Sequence, residues 1–224
     1  MWRDFPARVA EAVGCGAFVY SRAGYGGSDP IALPRSIRFM HDEGLITLPQ
    51  ILDAMNVRDA VLFGHSDGGS IALIYAGSGR AQRVRGLILE APHVFVEDVS
   101  TKSIATAAEK YRSDSLKLSL ERYHGDNVDC AFWGWNQVWL DPAFRSWNIE
   151  EYLPQVQVPA LVIQGEDDQY GTLRQVEAIE NGCTGHVRRI ILEECGHSPH
   201  RDQPNLTLES VTSFLCTEIL KVGR

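Results

Sequence analysis

The sequence predicts an α/β protein, a mostly parallel sheet with helices on both faces and a helical insertion. Three observations carry this. Short apolar runs that suit buried strands alternate with stretches of helical period along most of the 224 residues. One serine, Ser66, stands between such a run and a helix-compatible stretch, with Gly64 and Gly68 on either side. Finally, Ser66, a carboxylate cluster and His197 each fall just past the end of a strand-like run, where open parallel sheets bind ligands.

The chain begins with Phe5 to Val13, whose apolar and small residues suit a helix stopped by Gly14 and Gly16. Ala17-Phe18-Val19-Tyr20 reads as a strand and leads into the glycine-dense loop Ser21 to Pro30. That loop lacks both the third glycine of a dinucleotide fingerprint and the Gly-Lys-Ser/Thr of a phosphate loop, so it reads as a structural turn. Phe39 to Met55 has helical periodicity, with Pro49 kinking it. Ala60 to Gly64 is a strand, and the chain then turns sharply at Ser66 into a helix. Such a turn projects the seryl oxygen, and the N–H of Asp67 at the helix start points to the same spot, where it can stabilise an oxyanion.

Val84 to Pro92 reads as a further buried strand. From His93 to about Tyr152 the texture becomes helical and rich in aromatics, which suggests an inserted lid whose rings fill a small core of their own or line an apolar cavity. Strands resume at Pro159 to Gly165, ending in Glu166-Asp167-Asp168, and at Val187 to Leu192, ending in a loop with Gly196-His197. A helix from about Pro204 to Leu220 closes the chain. The expected division is therefore 1–92 and 153–224 for the core, with 93–152 as the lid.

Composition narrows the function. Lys and Arg total 21 against 29 Asp and Glu, with no basic stripe, which argues against nucleic acid. No apolar run is long enough to span a bilayer and the first residues do not resemble a signal peptide, so no membrane partner and a cytoplasmic address are expected. Five cysteines without a Cys-x-x-Cys pair suit reduced thiols. Cys195, His197 and His200 lack a second ligand pair with zinc-like spacing, so no metal is expected.

Three polar groups at three strand ends, in the order serine, carboxylate, histidine, match one hydrolase architecture. On Gly64-His65-Ser66-Asp67-Gly68-Gly69, Gly165-Glu166-Asp167-Asp168 and Gly196-His197 the sequence resembles the α/β-hydrolase family. Arg22-Ala23-Gly24-Tyr25-Gly26-Gly27-Ser28 is similar to the family's Arg-Gly-x-Gly-x-Ser turn with one extra residue. The resemblance implies that Ser66 is a nucleophile, His197 its base and Asp168 the acid that orients His197. Asp168 is preferred to Asp167 and Glu166 because the family's acid usually stands three residues after the strand-ending glycine. His65, Trp133 and Trp135 are candidate substrate contacts.

The resemblance implies an ester or related acyl substrate of small size, cleaved through an acyl-enzyme without a cofactor. Carbon–carbon bond hydrolases share the same three residues, whereas the haloalkane dehalogenase branch places aspartate at the elbow. The family also has about three strands and an oxyanion loop before the first helix seen here, so the expectation is an N-terminally incomplete sheet, less stable and slower than full-length relatives. A catalytically impaired binding protein is the contrasting reading, and an exposed strand edge would allow a homodimer.

Overall fold

The computed structural model describes residues 2–220. In chain order the main elements are α1 (Phe5–Val13), α2 (Phe39–Asp42), a π-helical turn (Glu43–Thr47), α3 (Leu48–Ala54), β1 (Ala60–His65), α4 (Asp67–Ala76) and β2 (Val84–Glu90). Then follow α5 (Asp98–Arg112), α6 (Lys117–His124), α7 (Val128–Leu140), β3 (Ala160–Gly165), α8 (Leu173–Gly182), β4 (Val187–Leu192), α9 (Pro199–Asp202) and α10 (Pro204–Phe214).

The four strands form one parallel sheet in the order β1-β2-β3-β4. Side chains alternate across it. Val61, Phe63, Ile88, Leu161, Ile163, Ile190 and Leu192 share a cluster with Phe5, Val9, Val211, Phe214 and Leu215 from α1 and the C-terminal helix. The residues between them, Leu87, Leu89, Ala160 and Val162, are buried as well. Burial on both faces explains why these strands read as continuous apolar runs instead of alternating ones. α4 is apolar nearly all round and buried from Ile71 to Tyr75, as a helix enclosed by protein must be. Gly44 lets the π turn approach it, since a Cβ there would lie 3.0 Å from the Ile71 carbonyl.

The helix expected over Phe39 to Met55 is present with an irregularity: the π turn ends just before Leu48-Pro49. Proline has no N–H and its ring would crowd the carbonyl four residues back, and the wider turn accommodates it.

Ala17-Phe18-Val19-Tyr20 corrects the sequence reading. It is not a strand: residues 15–20 have no regular structure, and Phe18 and Val19 are more than half exposed. Apolar residues favour a strand only where a neighbouring backbone completes the ladder, and this segment joins none.

By contact the chain divides into two compact units. One holds residues 2–17, 40–95 and 148–220, including the sheet. The other holds Phe18–Phe39 together with Val96–Trp147. In this second unit Tyr111 and Phe132 stack at 3.8 Å in a cluster with Ala107, Ala108 and Val128. The glycine-dense loop is tied to the helices here: Asn127 Nδ2 donates to the carbonyls of Gly26 and Ser28, and the Gly26 N–H donates to His124 Nδ1. Residues 18–39, placed with the core by their position in the sequence, thus group with helices about 100 residues away.

Candidate active site

β1 runs into α4 through Ser66, whose φ of 54° and ψ of −122° lie in a region that costs a non-glycine residue free energy. The turn is tight at Gly64, where a Cβ would sit 2.2 Å from the Gly68 carbonyl oxygen. The second steric demand falls on Gly69, against Pro92, whereas a Cβ on Gly68 would meet nothing within 4 Å. Asp67 is the first residue of α4, and N–H groups in a helix's first turn have no acceptor within the helix.

Asp168 and His197 come together because Gly165 ends β3. A Cβ there would lie 2.2 Å from the carbonyl oxygens of both Cys195 and Gly196, so only glycine lets the loop after β4 cross so closely. The N–H groups of Glu166 and Asp167 donate to the carbonyls of Leu192 and Cys195, pinning the two loops together.

The three groups form one chain of hydrogen bonds. The Asp168 carboxylate accepts from His197 Nδ1 at 2.8 and 2.9 Å, and His197 Nε2 lies 2.9 Å from Ser66 Oγ. With Nδ1 protonated toward Asp168, Nε2 is left as the acceptor for the seryl proton. Asp168 also accepts from Gln164 Nε2 at 2.6 Å and from the Tyr170 N–H at 2.8 Å. Burial pushes the Asp168 carboxyl up, but the hydrogen bond and charge of His197 and the Tyr170 N–H outweigh it and hold it below its ordinary value. Glu166 and Asp167, the two neighbouring carboxylates, are exposed.

Three rings surround His197: Tyr170 at 4.8 Å, His65 at 5.0 Å and His93 at 5.7 Å between centroids. Burial, reinforced by the nearby His197, lowers His93 to about 3, and the same two causes hold His65 well below the usual histidine value. His65 Nε2 lies 2.6 Å from the His197 carbonyl. Trp133 and Trp135 belong to the chain's other unit, packed on the Tyr111–Phe132 cluster, with the Arg112 guanidinium 5.3 Å from the Trp133 ring.

A second pair lies beside this chain of bonds. Glu90, the last residue of β2 and the register partner of His65, meets His200 Nδ1 at 2.6 Å, with Trp2 packed on the His200 ring. Cys195 is buried in the core, and burial pushes its thiol up to about 12. It is thus kept as an unreactive thiol. Among the described residues no group of three metal-ligating side chains could hold an ion, and no helix is long and apolar enough to cross a membrane.

Gln164, Tyr170 and Glu90 were not singled out from the sequence. For Gln164 and Glu90 a signal existed: each is the polar residue in or ending an otherwise apolar strand, where a buried polar group needs a partner.

A strand, a strained serine and a helix at the C-terminal edge of a parallel sheet define a nucleophile-elbow fold. The model of the alpha/beta hydrolase family matches residues 1–209, and the chain belongs to that family. Its fold is similar to that of an esterase from Exiguobacterium antarcticum (TM-score 0.73, 20% identity, 95% of this chain and 87% of that one). It is also similar to a thermophilic esterase from Thermogutta terrifontis (TM-score 0.69, 19% identity, 97% and 86%) and a bromoperoxidase from Bacillus anthracis (TM-score 0.73, 15% identity, 96% and 86%). Comparison with curated proteins finds no match.

Proposed function

We propose that this hydrolase-family chain is a serine hydrolase acting on a carboxylic ester or related acyl bond of a small molecule. The observation that supports this best is the continuous hydrogen-bonded chain from Ser66 Oγ through His197 to Asp168, anchored on a strained serine. In this reading Ser66 Oγ attacks the acyl carbon as its proton passes to His197 Nε2. Asp168 holds the imidazole orientation and stabilises its cationic form, and the Asp67 N–H donates to the carbonyl oxygen as it gains charge. The tetrahedral species collapses with departure of the alcohol, which takes the proton from His197. Water, deprotonated by the same nitrogen, then attacks the acyl-enzyme and frees the acid and Ser66.

The test is steady hydrolysis of p-nitrophenyl acetate and butyrate by the wild-type chain and by Ser66→Ala. Turnover that falls by at least about 1000-fold in Ser66→Ala is expected. Turnover retained in Ser66→Ala would overturn the reading.

A further inference from the structure

We propose that His65 is a positioning residue for His197, an inference that rests on the serine hydrolase reading above. A carbonyl oxygen can only accept, so the 2.6 Å contact between His65 Nε2 and the His197 carbonyl assigns the proton to His65 Nε2 and makes it the donor. His65 is the last residue of β1 and the immediate neighbour of Ser66. The same short segment that carries the nucleophile therefore holds the backbone of the base across 132 residues of sequence. Two links then join the elbow to the histidine loop: the side-chain bond from Ser66 Oγ to His197 Nε2 and the bond from His65 Nε2 to the His197 backbone carbonyl. They fix both ends of the base.

The loop needs such a fastening. The Asp167 N–H ties it to the end of β3 through the Cys195 carbonyl, and Gly196 N–H is held by the Asp202 carboxylate at 3.0 Å, but neither of these bonds runs to β1. The His65 ring is itself held in place. It lies on the face of the sheet shared with Phe63, 5.4 Å from His200 and 6.3 Å from Trp2, while the register pair His65–Glu90 and the bond from the Ser66 N–H to the Glu90 carbonyl set its backbone. Through the bond from its Nε2 to a protein carbonyl, His65 acts on the reaction by way of His197.

The experiment compares wild type, His65→Phe, His65→Gln and Ser66→Ala on p-nitrophenyl butyrate, with competent sites counted by fluorophosphonate titration so that kcat is per reactive serine. Displacing a reacting group by about 1 Å costs on the order of 100-fold, so His65→Phe should lower kcat by about 10- to 100-fold with KM within about twofold. His65→Gln, whose amide N–H can reach the same carbonyl, should recover most of that loss. A merely structural role would lower the number of titratable sites and the Tm while leaving kcat per site unchanged. Full kcat per site in His65→Phe alongside an inactive Ser66→Ala would overturn the positioning role alone. An active Ser66→Ala would instead overturn the hydrolase reading itself.

Discussion

Asp168–His197 and Glu90–His200 are two carboxylate–histidine pairs at the same end of one sheet, the first part-buried and the second buried, with Nδ1-to-oxygen distances of 2.8 and 2.6 Å. Their carboxylates are equally hidden, with 1% and 0% of the side chain exposed. Yet Asp168 is held below its ordinary value and Glu90 above it. For Glu90, burial dominates and the bond to His200 only partly offsets it. Burial is the largest cause at both sites: at Asp168 the bond and charge of His197 and the Tyr170 N–H outweigh it, whereas at Glu90, whose Oε1 has no hydrogen-bond partner among the described residues, the ring and backbone bonds of His200 do not. The far nitrogens differ too. His197 Nε2 reaches Ser66 Oγ, and His200 Nε2 reaches no partner among the described residues. A histidine beside a carboxylate is thus not a reactive site by itself. On the proposed reading it becomes one when its carboxylate stays ionised and a nucleophile stands at the other ring nitrogen.

The sharpest way to break this comparison is to neutralise each carboxylate in turn. In Asp168→Asn the amide can donate to His197 Nδ1, which forces the ring proton onto Nε2 and removes the acceptor for Ser66. Ester turnover should fall by about 1000- to 10,000-fold. Glu90→Gln keeps an oxygen that can accept from His200 Nδ1 and should stay within about threefold of wild type. Comparable losses in the two variants, measured per titratable serine, would show that the Glu90 pair also serves the reaction.

The same contrast predicts opposite stability slopes with pH. A lowered Asp168 contributes stability that is complete above its unfolded value of 3.8 and is lost as pH falls toward the folded value. A raised Glu90 contributes no penalty below its unfolded value of 4.5 and a growing one as pH rises through the folded value. Denaturant midpoints should therefore rise in Glu90→Gln relative to wild type above about pH 5, and fall in Asp168→Asn at the same pH. His93 adds an acid-side slope. Because it is lowered to about 3 from 6.5, the unfolded state binds its proton first, and stability should drop between those values by up to about 1.4 kcal/mol per pH unit. His93→Phe should flatten that stretch, and an unchanged slope in urea titrations would mean that His93 is protonated in the folded protein.

What was legible in the sequence follows from which constraints are local. Gly64, Ser66 and the apolar run before them form one turn, so a few adjacent residues suffice to read it. Asp168 and His197 were readable as residues just past strand ends, because a parallel sheet brings those ends together. The false strand at Ala17 to Tyr20 shows the limit. Its composition suits a strand, but a ladder needs a neighbour that composition does not reveal. The grouping of residues 18–39 with α5–α7 depends on Asn127 and His124 bonds to a loop about 100 residues away, and no periodicity carries that. The Glu90–His200 pair escaped for a similar reason: a polar residue ending a strand signals a partner but does not say which.

Glycine requirements at the two loops test how the favoured pair is assembled. Gly165→Ala would drive a Cβ into the Cys195 and Gly196 carbonyls, so the loop carrying His197 must shift. Overpacking of this kind costs about 1–3 kcal/mol, and kcat per site should fall with stability, since the loop being pushed is the one that presents the base.

Gly68→Ala is the smallest effect expected. Position 68 lies in the first turn of α4 with open space where a Cβ would go. Alanine restricts the unfolded chain more than glycine does, so the substitution should raise stability by about 0.5–1 kcal/mol. Turnover should stay within about twofold, because neither Gly64 nor Gly69, the two glycines whose space is taken, is touched. A stable Gly68→Ala that titrates fully with fluorophosphonate but shows a raised KM would mean that the open space at position 68 is where the substrate lies. That outcome would extend the contrast between the two pairs: beyond its donors and its serine, the Asp168–His197 pair would have room beside it for a reactant, whereas His200 is covered by the Trp2 ring.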